Sequence, residues 1–368
     1  MPTTLLIRAS AGLWAAVIVI GCCPRSLLEA EPIDGMVELT LRGQKLEGMP
    51  LGWNEQEVHL LGRDGRLWQF APDEASDFKR ASAHFRSYSP SEFRAELLRE
   101  LGGGYEVSGT GHYLVAHPRD ERDKWAQRFE DLYRSFVHYF SVRGFEPLPP
   151  AFPLVGVVCR DRAEFARLAA EQGTALPSGV VGYYAFRSNR INLYDMGGKA
   201  DSANWRQNAA VLIHEATHQT AFNTGVHSRY CPPPKWLAEG LAMLFEAPGV
   251  YDSRANTRPG DRVNRDRLKA FRQGVAPRHR PELLASIVAS DDLFRRNPGA
   301  AYAESWAFSF FLVETAPHKY VEYLKRTALR QPFAGYPARE RTADFAAVFG
   351  ADWRMLEARF LRFMEAVR

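Results

Sequence analysis

Five consecutive residues, His214-Glu215-Ala216-Thr217-His218, carry the side chains of this chain best suited to chemistry. The apolar residues around them, from Ala209 to Ile213 and again at Ala221 and Phe222, predict a helix over residues 205–222. On a helix a four-residue step advances slightly more than one turn, so His214 and His218 project from one face and can share a metal ion. Glu215 lies about 100° round, able to reach a water on that metal without itself being a ligand. The chemistry on offer is metal-assisted hydrolysis, with the acid as proton acceptor. The plainer alternative is a pair of core histidines satisfied by hydrogen bonds.

Two neutral imidazoles do not complete a tetrahedral zinc site, so a third protein ligand is expected downstream, with the fourth position open. His227 is near, but Thr224-Gly225 before it and Pro232-Pro233-Pro234 after it read as a helix exit and loop. Glu239 is the stronger choice, on a second helix that starts after the proline run as Trp236-Leu237-Ala238-Glu239-Gly240-Leu241-Ala242. A carboxylate on so apolar a helix is costly to bury unless it is paired or bound to a metal. One zinc per chain on His214, His218 and Glu239, with Glu215 as general base, is the site these residues predict.

The pair of histidines followed after twenty intervening residues by Glu239 resembles the gluzincin class of zinc metallopeptidases. The segment Trp236-Leu237-Ala238-Glu239-Gly240 is similar to the peptidase MA-like branch, and to a bacterial family of unknown function assigned to it. The resemblance covers residues 105–314 and implies a zincin-like fold in which a strand pair forms the upper edge of the cleft and the substrate backbone adds to it. It also implies a transition-state donor from a later helix, for which Tyr302 in Tyr302-Ala303-Glu304-Ser305-Trp306 is the choice and His227 the alternative. Two departures stand out. The metzincin spacing fails, because Ala221 and Thr224 stand where a glycine and a third histidine belong. The thermolysin-like acid four residues beyond the glutamate ligand is replaced by Met243, which leaves the group orienting His214 unidentified.

The elements that must position these residues read as an α+β chain. Residues 35–88 carry short apolar alternations around Val37, Leu39 and Leu41, then Val58 to Leu61, then Leu67 to Phe70, with Asp64-Gly65 marking a hairpin. They predict a small β-barrel or SH3-like module whose simplest role is packing beside the main unit. Residues 89–104 are a connecting helix capped by Ser89 and stopped by Gly102-Gly103-Gly104. Residues 105–316 form the zincin-like catalytic unit: strands at 105–108 and 113–116, a helix over 121–143, a strand at 154–159, a helix over 162–172, and a strand pair at 180–186 and 191–194. From there the pattern is helical, at 205–222, 235–245, 264–273, 281–289 and 300–314, and residues 317–368 add further helices at 319–329 and 352–367.

Composition excludes more than it assigns. Of 368 residues 46% are hydrophobic and 24% charged, an ordinary globular balance, and 47 Lys+Arg against 43 Asp+Glu without a basic block argues against a nucleic-acid partner. The apolar run from Ala9 to Cys23 behind Arg8 is shorter than the ~20 residues a membrane span needs, and predicts an export signal over residues 1–21 followed by a linker at 22–34. Val19-Ile20-Gly21-Cys22 resembles a bacterial lipoprotein box, which implies membrane attachment through a lipidated Cys22 and a place in the cell envelope or periplasm. In that oxidising setting Cys159 and Cys231 can pair. The expected partner is a peptide or protein substrate, and nothing in the sequence speaks to oligomeric state. Rival readings are a non-catalytic, zinc-containing envelope lipoprotein that acts as a scaffold, and a zinc hydrolase of non-peptide amide bonds.

Overall fold

The computed structural model describes residues 35–119, 123, 125–177, 179–197 and 203–368. The expected export signal, the linker and Cys22 lie outside the described residues. The first sheet is antiparallel, built from β1 (Met36–Leu41), β2 (Gln44–Trp53), β3 (Val58–Gly62), β4 (Leu67–Phe70) and β5 (Ala75–Ser82) in the order β4-β3-β2-β1-β5. Leu39, Leu41, Val58, Leu60 and Phe70 form its small core. The predicted hairpin is present: the Gly62 amide donates to the Arg66 carbonyl at 2.8 Å, and Gly65 takes φ +81°, a conformation that favours glycine. The barrel expectation is corrected, since the sheet is open and no pairing joins β4 to β5 among the described residues. β5 runs beside β1 through two register shifts, while Leu67 at the start of β4 donates its amide to the Arg187 carbonyl in a different hairpin, 2.8 Å away.

Helix α1 (Pro90–Leu101) starts with a reciprocal cap between Ser89 and Glu92 and buries Phe93 and Leu97. It leads into the second sheet, made of β6 (Tyr105–Gly109), β7 (Tyr113–Pro118), β8 (Leu154–Cys159), β9 (Gly182–Ala185) and β10 (Arg190–Tyr194) in the order β6-β7-β8-β10-β9. Its three central strands are parallel, and β6 and β9 join antiparallel at the edges. Period-two alternation gives the sheet two apolar faces. Val155, Val157 and Tyr183 face α1 and α3 (Arg162–Glu171), whereas Leu154, Val158 and Tyr184 join the main core with α2 (Ala126–Ser141) and α4 (Ala203–Asn223). This two-sided covering holds β9 against α4.

The remaining helices are α5 (Lys235–Phe245), α6 (Pro248–Tyr251), α7 (Arg265–Ala270), α8 (Leu283–Ala289), α9 (Asp292–Arg296), α10 (Pro298–Thr315), α11 (Pro317–Ala328), α12 (Ala338–Phe349) and α13 (Trp353–Ala366). α5 is buried from Trp236 to Phe245 and α10 from Ala301 to Val313, so both are sheathed by other helices. They cross at Gly240, where an added Cβ would stand 2.6 Å from the Ser305 carbonyl oxygen. Tyr323, Phe345 and Phe360 from α11, α12 and α13 complete the core around Trp236 and Phe308. No helix among the described residues is long and apolar enough to cross a membrane.

Two interior groups bear on stability. The Cys159–Cys231 pairing is corrected, since both thiols are free and buried: Cys159 ends β8 inside the strand core, and Cys231 donates to the Ala328 carbonyl at 3.3 Å. Glu304 on α10 is fully buried, and neither carboxyl oxygen finds a hydrogen-bond partner among the described residues. Burial, aided by the charge of Glu357, pushes its carboxyl up to about 8, so it is neutral at pH 7. A folded-state value above the unfolded one gives stability that is full below the ordinary carboxyl range and lost as pH rises through about 8. The slope approaches about 1.4 kcal/mol per pH unit between those limits. Glu304→Gln should therefore flatten the fall in melting temperature between pH 5 and pH 9. Parallel curves for variant and wild type would show that Glu304 does not titrate there.

Candidate metal centre

α4 and α5 are neighbours in sequence, joined by a loop that ends in three prolines, the last of which, Pro234, caps α5. The two helices pack against each other in the main core, which brings His214 and His218 of α4 up to Glu239, a carboxylate on the largely apolar α5. His214 and His218 stand with their Nε2 atoms 3.1 Å apart. Glu239, with no exposed surface, brings Oε2 to 3.3 Å from the first and 3.6 Å from the second. Bond lengths of about 2.0–2.2 Å around a tetrahedral zinc place ligand atoms about 3.3–3.6 Å apart, so these three atoms form a triangle of the right size for one face of that tetrahedron. Among the described residues these three are the group whose ligand atoms lie close enough, within 4.8 Å of one another, to hold a metal ion.

The charges are interdependent. Burial alone would push the Glu239 carboxyl up, but the two imidazoles outweigh it and hold it down at about 2. Burial also presses the His214 imidazole down, and is overcome by the carboxylates of Glu239 and Glu246, which hold it up at about 10. Imidazole ligates in its neutral form, so metal binding here would be linked to release of a proton.

Glu246 is the residue that sequence reasoning missed. Its Oε1 lies 2.8 Å from His214 Nδ1, which orients the ring so that Nε2 faces Glu239. The carboxylate is held in turn by Asn264 Nδ2 at 2.7 Å and by the Arg267 guanidinium at 3.2 and 3.3 Å. The signal was there: Glu246 lies seven residues beyond Glu239, about two helical turns, and hence on nearly the same face.

Glu215, one residue on from His214, lies about 100° round α4 and turns toward β9. Its Oε2 accepts from the Tyr184 backbone amide of β9 at 2.7 Å, and burial together with the Glu239 charge pushes its carboxyl up to about 8 against the pull of His214. The resemblance implies that a strand edge at this place receives a substrate backbone. At Tyr184 the edge amide is instead engaged by the acid.

The β9–β10 turn beyond Tyr184 is pinned from two directions. From α4, Gln219 donates to the Asn189 carbonyl at 2.7 Å and Asn223 exchanges side-chain hydrogen bonds with Asn189. From the far side comes Arg229, 6% exposed, which donates to the carbonyls of Phe186, Arg187 and Gly65 at 2.7, 3.2 and 2.7 Å. Gly65 is the hairpin tip of the first sheet, so the Arg229 guanidinium joins the Leu67–Arg187 backbone bond in tying that sheet to the hairpin touching Glu215.

The two donor candidates are both close. Tyr302 is buried on α10 against Phe294, near enough to Glu239 and Glu215 that burial and their charges hold its hydroxyl firmly protonated. His227 is buried beyond the end of α4, with its ring centroid 5.3 Å from that of Phe222. It lies outside the metal-competent triangle.

Residues 208–334, which span His214, Glu239 and Tyr302, match the family described as a protein of unknown function (DUF1570). Among solved structures, the chain is similar to a mutant of the M1 zinc metallopeptidase from Deinococcus radiodurans, with 12% sequence identity and a TM-score of 0.38. That likeness covers 72% of this chain and 51% of the other, so this chain spans about half the length of that neighbour. No curated protein matches the sequence.

Proposed function

We propose that this protein is a zinc-dependent hydrolase of the gluzincin type, most simply a metallopeptidase. The observation that carries the reading is the buried triangle of His214 Nε2, His218 Nε2 and Glu239 Oε2, with edges of 3.1, 3.3 and 3.6 Å, beside an acid that is not part of it. Those three atoms would hold the ion. Zinc there supplies Lewis acidity toward a carbonyl group and toward water. Glu215 accepts the proton of the attacking water and returns it to the leaving nitrogen, a role open to an acid that stands beside the ligand set without belonging to it. The Tyr184 amide engages one of its two oxygens and so fixes the plane of the carboxylate. Tyr302 is the proposed donor to the oxygen that gains charge. On this reading the chain has a zincin-like unit from residue 105 to 316, exported and anchored through Cys22.

A second reading, zinc held for structure in a scaffold protein, draws on burial: His214, Glu215, His218 and Glu239 are each at most 3% exposed. A third, hydrolysis of non-peptide amides, shares the same chemistry. One experiment separates the first two. Full-length protein is assayed for metal by mass spectrometry and incubated with a denatured-proteome peptide library, with and without chelator. One zinc per chain and chelator-sensitive new termini are expected. Zinc without cleavage supports the scaffold, and zinc-free protein sinks both readings.

A further inference from the structure

Two arginines are buried among the described residues, and they are satisfied in opposite ways. Arg190 on β10 pairs with the Glu100 carboxylate at 2.7 Å. Arg229 makes its four hydrogen bonds to main-chain carbonyls: Nε and Nη2 to Phe186 at 3.3 and 2.7 Å, Nη2 to Arg187 at 3.2 Å, and Nη1 to Gly65 at 2.7 Å. None of these acceptors carries a charge. A cation taken out of water against neutral acceptors is costly, and an apolar side chain would fill the space without that cost. What the guanidinium adds is geometry, a planar fork that holds several oxygens in fixed relation.

Those oxygens are placed to matter for the metal centre. Phe186 lies two residues beyond Tyr184, whose amide donates to Glu215 Oε2 at 2.7 Å. Arg229 follows α4 and is brought back against it where the His227 amide closes onto the Ala221 carbonyl at 2.9 Å. The metal helix and the turn that leaves it therefore grip one short stretch of chain, at its 184 amide and its 186 carbonyl. Two residues of extended backbone have a fixed rise, so holding the second group sets the position of the first. The other ties from α4 act on Asn189, five residues from Tyr184 at the tip of the turn. The Gly65 carbonyl keeps the fork from swinging. The tip that carries it packs on that turn so closely that an added Cβ would stand 3.2 Å from Asn189 Nδ2.

We infer that Arg229 is a positioning residue of this site: its guanidinium sets the register of β9 against α4, and so holds the Tyr184 amide where it orients the Glu215 carboxylate. The catalytic consequence rests on the hydrolase reading, and the positioning does not. The first sheet then has a task beyond packing, since its hairpin tip is the stop against which the fork is set.

The test uses the full-length chain with Arg229→Met, which removes every donor, and Arg229→Lys, which keeps the charge and a donor. In metal-free protein, hydrogen exchange resolved to single amides should show Tyr184 exchanging about tenfold faster in Arg229→Met, with β8 and the body of α4 at wild-type rates. Wild-type exchange at Tyr184 overturns the inference. So does a rise shared equally by β8 and α4, which marks a residue needed only for stability. With zinc restored, both variants should hold one ion. Arg229→Met should lose about 10–100-fold in kcat with KM little changed, and Arg229→Lys should recover part of it. Unchanged kcat in Arg229→Met overturns the inference. If the wild type binds zinc yet cleaves nothing, the hydrolase reading fails, and the Tyr184 exchange rate still decides the positioning. Should Arg229→Met fail to fold, Gly65→Ala takes its place. Strained at φ +81° and pressed on Asn189, it displaces the tip while leaving the cation and its donors intact. It should speed Tyr184 exchange in the same selective way, and wild-type exchange there overturns the inference.

Discussion

Glu215→Gln should keep one zinc per chain and hydrolyse peptides about 10²–10⁴-fold more slowly than wild type. The amide has the shape of the carboxylate, and its carbonyl oxygen can still accept from the Tyr184 amide, so β9 stays where it is. The ligand triangle is untouched, because Glu215 is not one of its corners. What disappears is the capacity to take a proton from water, and with it the return of that proton to the leaving nitrogen. His218→Ala is the natural companion: it deletes a corner and should abolish zinc binding. Metal content and product profiles on one peptide library report both effects. Identical profiles for wild type and Glu215→Gln would remove the enzyme reading, and loss of zinc from Glu215→Gln would make Glu215 a ligand.

Glu246→Ala should act at a distance and on two quantities at once. Without its carboxylate, His214 Nδ1 has no acceptor to fix the ring, and losses of this kind weaken zinc binding about 10–100-fold. The second effect is on folding. The Arg267 guanidinium is mostly buried and spends two contacts on Glu246, so the variant leaves a cation in the interior without its counter-charge. Breaking a buried pair by removing one partner costs about 3–5 kcal/mol. The double variant Glu246→Ala, Arg267→Met should regain much of that stability but none of the zinc affinity, because His214 stays unoriented. Chemical denaturation of metal-free protein and competition with a chromogenic chelator separate the two. Equal zinc affinity in wild type and Glu246→Ala would show that the ring is held without it.

The parts of this molecule that were legible in sequence are those whose signal is local. α5 and β8 begin and end where apolar runs meet proline or polar residues, at Lys235–Phe245 and Leu154–Cys159. His214 and His218 fall on one helix, so their spacing alone predicts that they meet. Glu239 needed only one further inference, that an acid on an apolar helix wants a partner. β5 was hidden because nearly all of it is exposed and no alternation marks it, and α12 because it buries little beyond Phe345 and Val348. Glu246 sits at the end of its helix, where an acid reads as ordinary solvent-facing polarity. The Tyr184 amide could not be read at all, since a backbone group leaves no trace in residue identity.

The clamp made by Arg229 has a consequence for how this protein can vary. Its guanidinium grips only main-chain oxygens, at Gly65, Phe186 and Arg187. The Arg229 contacts therefore place no demand on the side chains of either hairpin, unlike the bond from the Arg187 guanidinium to Gln69 Oε1, which does. Loop length is another matter. One residue added to or removed from either hairpin tip shifts an oxygen by about 3.3 Å, beyond the reach of a hydrogen bond. The grip of Arg229 thus constrains the two hairpins in length and, at Gly65 with its φ of +81°, in composition, and a change in the length of one should be tolerated only with a compensating change in the other.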